Sequence, residues 1–205
     1  MTSFTDKAWG IFENAIADYH VLDDVDTPVN HSFENDSLER ILYEKNWIDT
    51  VQWHLEDIIR DENIDPTEAL KIKRRIDSSN QKRTDMVEFI DSWFLQKYKD
   101  ISPKNDAKIN TETPAWAVDR LSILALKVYH MALEAHRESA TEVHREKCAQ
   151  KLAVLLEQKK DLSEAINQLI FDIENGNVKM KVYKQMKMYN DETLNPVLYQ
   201  NHKDE

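Results

Sequence analysis

Between Pro66 and Tyr98 the apolar residues Ala69, Ile72, Ile76, Val87, Ile90 and Phe94 return at helical spacing, which predicts one long helix. Asp65-Pro66-Thr67-Glu68 marks its start, with Asp as N-cap, Pro at the first helical position and Glu in the first turn. Upstream, Leu38, Ile41, Ile48, Val51, Leu55, Ile58 and Ile59 fall broadly on one side and predict a helix from Ser37 to Arg60. Asp36 followed by Glu39 gives it a capping-box-like opening. A restart at Asn46, capping toward Asp49, is the alternative, and one continuous helix is preferred. The stretch Asn46 to Tyr98 is thus expected to be two antiparallel helices joined by a short turn.

The same reading extends to both sides. Phe4, Trp9, Phe12, Ile16 and Tyr19 predict a first helix, and Val21 to Glu34 an acidic linker. Residues 99–112 are polar, and Pro103 argues for a loop. Thr113-Pro114 repeats the cap-then-Pro start. The helix after it is apolar around much of its circumference, as a central helix would be. Ser139 with Glu142 offers a further capping box. A long stripe follows through Thr141, His144, Cys148, Leu152, Leu155, Lys159, Leu162, Ile166, Leu169 and Ile173. Asn175-Gly176-Asn177 ends it. The expected fold is all-α, a bundle of about five helices over residues 1–176. Residues 177–205 form a C-terminal arm packed on the bundle. In the arm Lys179, Lys181, Lys184 and Lys187 interleave with Met180, Val182, Met186 and Met188, and Tyr183, Tyr189 and Tyr199 offer anchors. It is read as folded over the acidic bundle, with a docking arm for a partner as the alternative.

Composition removes several function classes. With 2 glycines in 205 residues there is no Gly-rich nucleotide loop, and hairpin-rich β folds are disfavoured. A formal net charge of −11 makes this an acidic protein and disfavours general nucleic-acid binding and anionic membranes. Cys148 is the single cysteine, so neither an internal disulfide nor a multi-cysteine zinc site can form. No signal peptide and no membrane span are expected, and the expected location is the cytoplasm.

The candidate chemistry lies in the central pair. Ser79, Asn80 and Arg83 occupy positions where the spacing calls for apolar residues. A buried arginine needs a charged, hydrogen-bonded partner. If the chain folds back at residues 62–65, Arg83 faces Glu44 and Tyr43, so a Glu44–Arg83 contact with Asn80 nearby is expected. This is either a core network that fixes register or an anion-binding pocket. Glu44, Asn80, Arg83 and His54 form the candidate ligand-binding set. Glu56, Asp57, Glu88 and Asp91 are the candidate metal ligands, since carboxylates facing across a helix pair can hold Mg²⁺. Glu88-x-x-Asp91 loosely resembles the acidic pairs of all-α nucleotide pyrophosphohydrolases, although such spacing also occurs on solvated helix faces. Glu-x-x-His and His-Glu-x-x-His are absent. His136, His144 and Cys148 are read as core or interface residues, and Lys159 as snorkelling.

Three blocks, NWIDTVQWHLEDIIRD, KRRIDSSNQKRTDMVEFIDSWF and VYKQMKMYNDETLNPVLY, resemble the bacterial domain-of-unknown-function family 4254. The resemblance covers most of the chain and implies no catalytic residue or cofactor. Because no constellation in the sequence meets the geometric roles of a catalytic site, a binding or scaffold protein without a cofactor is expected, dimeric through residues 141–173 or bound to a protein partner. The alternative is an Mg²⁺-dependent enzyme acting on a nucleotide or other phosphorylated small molecule.

Overall fold

A computed structural model describes residues 2–184 and residue 193. Five helices make up the bundle: α1 Phe4–Tyr19, α2 Leu38–Ile58, α3 Pro66–Lys97, α4 Pro114–His136 and α5 Glu142–Glu174. Two short strands, β1 Lys108–Ile109 and β2 Val178–Lys179, pair in parallel, with Lys108 opposite Val178. The all-α reading holds, and α2 is continuous through Asn46. No helix among the described residues is long and apolar enough to cross a membrane.

Side-chain caps set the helix starts. Asp65 accepts from the Thr67 and Glu68 amides, and Thr113 from that of Trp116, each followed by Pro as expected. Two starts are shifted. Ser37, not Asp36, caps α2 by accepting from the Arg40 amide, while Asp36 takes a positive φ of 65°. Thr141, not Ser139, caps α5. At the far end of α5 the Gly176 amide donates to the Ile173 carbonyl and the Asn177 amide to that of Asp172, which is the Schellman closure.

Gly176 has φ 69°, and a Cβ there would lie 2.9 Å from the Ser102 carbonyl oxygen. The Gly176 carbonyl in turn accepts from the Lys104 amide, so the α3–α4 loop rests directly on this turn. Gly176→Ala combines left-handed strain with a backbone clash and is expected to cost about 2 kcal/mol. Thermal unfolding should register this as a drop of roughly 4–8 °C.

Helix α4 touches all four other helices. Ala115, Val118, Leu121, Leu124, Ala125 and Leu126 are buried along it, and Trp9, Phe12 and Ile16 of α1 and Val87, Ile90 and Phe94 of α3 join the same core. The α5 stripe also turns inward. Leu155, Leu162 and Leu169 pack on this core, Ile166 and Ile173 are buried in it, and the Lys159 ammonium lies 3.9 Å from the Trp9 ring centroid. The stripe from Leu155 to Ile173 is thus covered within the chain. The exposed apolar residues of α5, Val143, Val154, Leu156 and Phe171, lie outside it. Val178 and Met180 begin the arm by packing on the core, and Tyr183 is exposed. Met186, Lys187, Met188, Tyr189 and Tyr199 lie outside the described residues.

Candidate functional site

Arg83 is partnered by different acids from the one expected. Its Nε donates to Asp49 Oδ1 at 2.6 Å, and its Nη2 lies 3.5 Å from Asp119 Oδ1. Burial alone would lower the Arg83 pKa, but these two carboxylates outweigh it and hold the guanidinium charged. Glu44 instead accepts from Arg40 Nε at 2.8 Å and sits 3.0 Å from His31 Nε2. Burial of Glu44 is likewise outweighed by these two neighbours, so its carboxyl falls below the usual range. The cause of the correction is register. Gln52 Nε2 donates to Asn80 Oδ1, and with Asp49 opposite Arg83 this puts position 88, not 83, across from Glu44. The first turns of α3 run past the end of α2, where Arg75 donates to the Val25 carbonyl and pairs with Asp26. The fold-back point thereby moves toward the C-terminus.

Beneath Arg83 lies a closed network. The Lys45 side chain, with 0% exposure, donates to Asp49 Oδ2 and lies 2.7 Å from Asp119 Oδ1. Ser122 Oγ donates to Asp49 Oδ2 at 2.6 Å and accepts from Asn46 Nδ2 at 3.0 Å. Two cations meet two carboxylates, so the cluster is formally neutral. It ties α2, α3 and α4 together.

Above it opens a pocket of about 220 Å³ between α2, α3 and α4. Asp49, Gln52, Trp53, Glu56, Asp57, Arg60, Arg83 and Ile123 line it. Glu56 and Asp57 both pair with Arg60 on the rim. Gln52 Oε1 is buried and accepts no hydrogen bond among the described residues, although Gln52 Nε2 is used. A larger groove of about 960 Å³ lies between α4 and α5 beside β1. None of the buried side-chain atoms unpaired among the described residues belongs to its walls, so the smaller pocket is the better candidate of the two.

The four candidate metal carboxylates do not converge. Glu56 and Asp57 sit at the pocket, across from the Ile76 level of α3. Glu88 and Asp91 lie farther along that helix by roughly 18–22 Å, at 1.5 Å rise per residue. Asp91 is 3% exposed, with Oδ1 unpaired among the described residues. Burial pushes its carboxyl up to about 6 against the Thr113 hydrogen bond, and the Glu88 charge adds to the rise.

His54 stands apart from Glu44, Asn80 and Arg83. It joins His20, the C-cap of α1, and His130 of α4, and His54 Nε2 lies 3.3 Å from His20 Nε2. Asp23 Oδ1 is 3.6 Å from His54 Nε2 and 4.0 Å from His20 Nε2. Tyr19 stacks on His54 at 5.1 Å, and Trp53 on His130 at 4.8 Å with 7° between the planes. Trp53 therefore separates the histidines from the pocket. Burial, then the two neighbouring histidines, pushes His130 down to about 4, and burial also lowers His54. Burial and the Asp23 charge push Tyr19 up to about 12.

One further cluster, of His144, Glu134 and Cys148, is not a catalytic relay. His144 Nε2 lies 2.8 Å from Glu134 Oε2 and 3.4 Å from Cys148 Sγ. A relay needs one ring nitrogen for the thiol and the other for the acid, whereas here a single nitrogen meets both.

With this geometry in place, comparison with known proteins adds a family. The family model described as "Protein of unknown function (DUF4254)" matches residues 39–182. This chain belongs to that family. The match spans α2 through β2, hence the whole neutral network and the pocket, and leaves α1 with His20 and Asp23 outside it. Neither the curated proteins nor the solved structures give a match.

Proposed function

We propose that this chain is a non-catalytic binding protein whose α2–α3–α4 pocket takes a small polar molecule carrying both charge signs. The observation that carries this reading is Gln52 Oε1, a buried acceptor without a donor in the wall of an open pocket. Such an atom costs about 1–3 kcal/mol when unpaired, so a ligand N–H or O–H that reaches it gains accordingly. Arg60 and Arg83 suit a carboxylate or phosphate on the ligand, and Glu56 and Asp57 suit an amine. Trp53 and Ile123 supply apolar wall. The floor supports binding over catalysis, because Lys45 and Arg83 are each held by Asp49 and Asp119. A general acid or base needs a proton to exchange and a route to the reacting atom. The Mg²⁺-dependent alternative lacks its carboxylate cluster, as Glu88 and Asp91 lie far from Glu56 and Asp57.

Thermal shift with free amino acids, phosphorylated amino acids and a nucleotide panel, each with and without Mg²⁺, tests the proposal. A ligand at about 100 times its Kd adds about 2.7 kcal/mol, or roughly 5–10 °C for a chain of this size. Gln52→Leu is expected to weaken binding at least tenfold while leaving the unliganded protein folded. Stabilisation that needs both Mg²⁺ and a nucleotide would favour the enzyme instead. No response to any compound would overturn the reading.

A further inference from the structure

We propose that His20, His54, His130 and Asp23 form a four-coordinate site for a divalent transition-metal ion of the zinc class, independent of the pocket across Trp53. One ring nitrogen of each histidine lies within 4.8 Å of those of the other two. They come from the C-terminus of α1, from α2 and from α4, so the fold and not a local motif gathers them.

The tautomer of His20 leaves a lone pair facing the cluster. His20 Nδ1 lies 2.6 Å from the Ile16 carbonyl oxygen, which cannot donate, so Nδ1 carries the hydrogen and neutral Nε2 is an acceptor. That Nε2 faces another imidazole Nε2, that of His54, at 3.3 Å. His130 Nε2 is buried and has no hydrogen-bond partner among the described residues. Two nitrogens at that separation share either a single hydrogen or a cation. Tetrahedral Zn²⁺ with Zn–N bonds of 2.0–2.1 Å puts its nitrogen ligands about 3.3 Å apart, which is the spacing of His20 and His54. Asp23 Oδ1, at 3.6 and 4.0 Å from these nitrogens, is the neighbouring carboxylate that would close in as the anionic ligand.

The surroundings hold this arrangement in place. The Ile16 carbonyl fixes the His20 ring through its far nitrogen, the usual outer-shell device of metal-binding histidines. Tyr19 and Trp53 stack on His54 and His130 and fix those ring planes. Asp23 takes a positive φ of 51°, and its amide donates to the Tyr19 carbonyl, folding the turn back over the histidines. His20 also caps α1, so the cation would sit at the negative end of a helix. Imidazole nitrogens with one carboxylate suit Zn²⁺, Co²⁺ or Ni²⁺ and disfavour Mg²⁺ and Ca²⁺, which prefer oxygen.

The test uses the full chain, stripped with chelator and dialysed, and titrated with Zn²⁺ and Co²⁺ by calorimetry and visible absorption. One equivalent of Zn²⁺ is expected to bind, and Co²⁺ to give the intense visible bands of a tetrahedral site. His54→Gln and His130→Gln should each weaken Zn²⁺ binding at least 100-fold, and Asp23→Asn about tenfold. His136→Gln, a histidine outside the cluster on α4, should leave it unchanged. Asp23 lies in an exposed turn, so its variant keeps the test open if a histidine variant fails to fold. Absence of saturable binding at one equivalent would overturn the proposal, as would affinity undiminished in the folded His54 and Asp23 variants.

Discussion

Asp49→Ala is expected to destabilise the protein by about 3–5 kcal/mol, the largest effect of any single substitution in the polar network. Asp49 takes a guanidinium on one oxygen and an ammonium and a hydroxyl on the other. Removing it leaves two cations and one carboxylate, Asp119, with Lys45 0% exposed and unable to reach water. The cost comes mainly from that uncompensated buried charge and much less from the lost attraction. A double replacement separates the two contributions. Lys45→Met with Asp49→Leu removes one charge of each sign and leaves Arg83 beside Asp119. Buried ion pairs replaced by apolar residues of similar volume are often neutral in stability, so the double variant should regain more than half of the single variant's loss. Denaturant unfolding reads both, through a lower midpoint with an unchanged slope. A loss below about 1 kcal/mol for Asp49→Ala would show that water reaches Lys45 and that the network is not closed.

The polar interruption of an apolar face is what made part of this site readable in the sequence. Arg83 and Asn80 stand out on α3 because Ile76 and Val87 define the face they share. The same test applied to α2 would have found Lys45, Asn46, Asp49 and Gln52, which continue the line of Leu42 and Leu55. A Glu44–Arg83 pairing requires one particular fold-back point, and sequence periodicity constrains the phase of a helix without fixing its axial offset against a neighbour. That offset is set by how far α3 overruns α2, through contacts with the Val25–Asp26 linker that carry no periodic signal. The histidine cluster was illegible for a related reason. His20, His54 and His130 share no spacing, and only the packing of α1 and α4 on α2 brings them together. The five-helix bundle was legible because caps and stripes are local. Thr113-Pro114 and Asp65-Pro66 start helices in sequence and structure alike.

The pocket and the network also constrain each other. Arg83 is 24% exposed and serves both, as floor of the pocket and as outermost member of the buried cluster. A ligand anion at Arg83 would therefore add a third negative group to a pair already balanced by Asp49 and Asp119, and Arg60 on the rim is a further cation that offsets it. Arg60, 65% exposed and paired among the described residues with the rim acids, can turn toward a ligand at little cost. Affinity should consequently depend more on Arg60 than the deeper burial of Arg83 suggests. Arg83→Lys should act mainly on stability, since lysine cannot reproduce the two-acid contact.

Asp91→Asn is expected to stabilise the protein at neutral pH by about 1–3 kcal/mol, with the gain vanishing in acid. Asp91 is 3% exposed, and burial first, with the Glu88 charge adding, holds its carboxyl up at about 6 despite the Thr113 hydrogen bond. In the unfolded chain an aspartate titrates near 3.9. Between these values the native state binds more protons than the unfolded state, so stability falls as pH rises from about 4 to about 6. A difference of about two units corresponds to about 3 kcal/mol, an upper figure present in full only above the folded-state pKa. Asparagine keeps the shape and a polar contact to Thr113 but cannot ionise. Wild type and variant should accordingly be equally stable near pH 4 and diverge through pH 5 and 6. Above pH 7 the gap should stay constant. Denaturant melts at each pH decide it, and parallel stability curves would mean that Asp91 ionises in the folded protein as easily as in water. The direction separates this residue from Asp49, whose removal destabilises. Both acids are buried, but two cations offset that burial at Asp49, whereas at Asp91 burial is the leading cause of the raised pKa and the Glu88 charge adds to it.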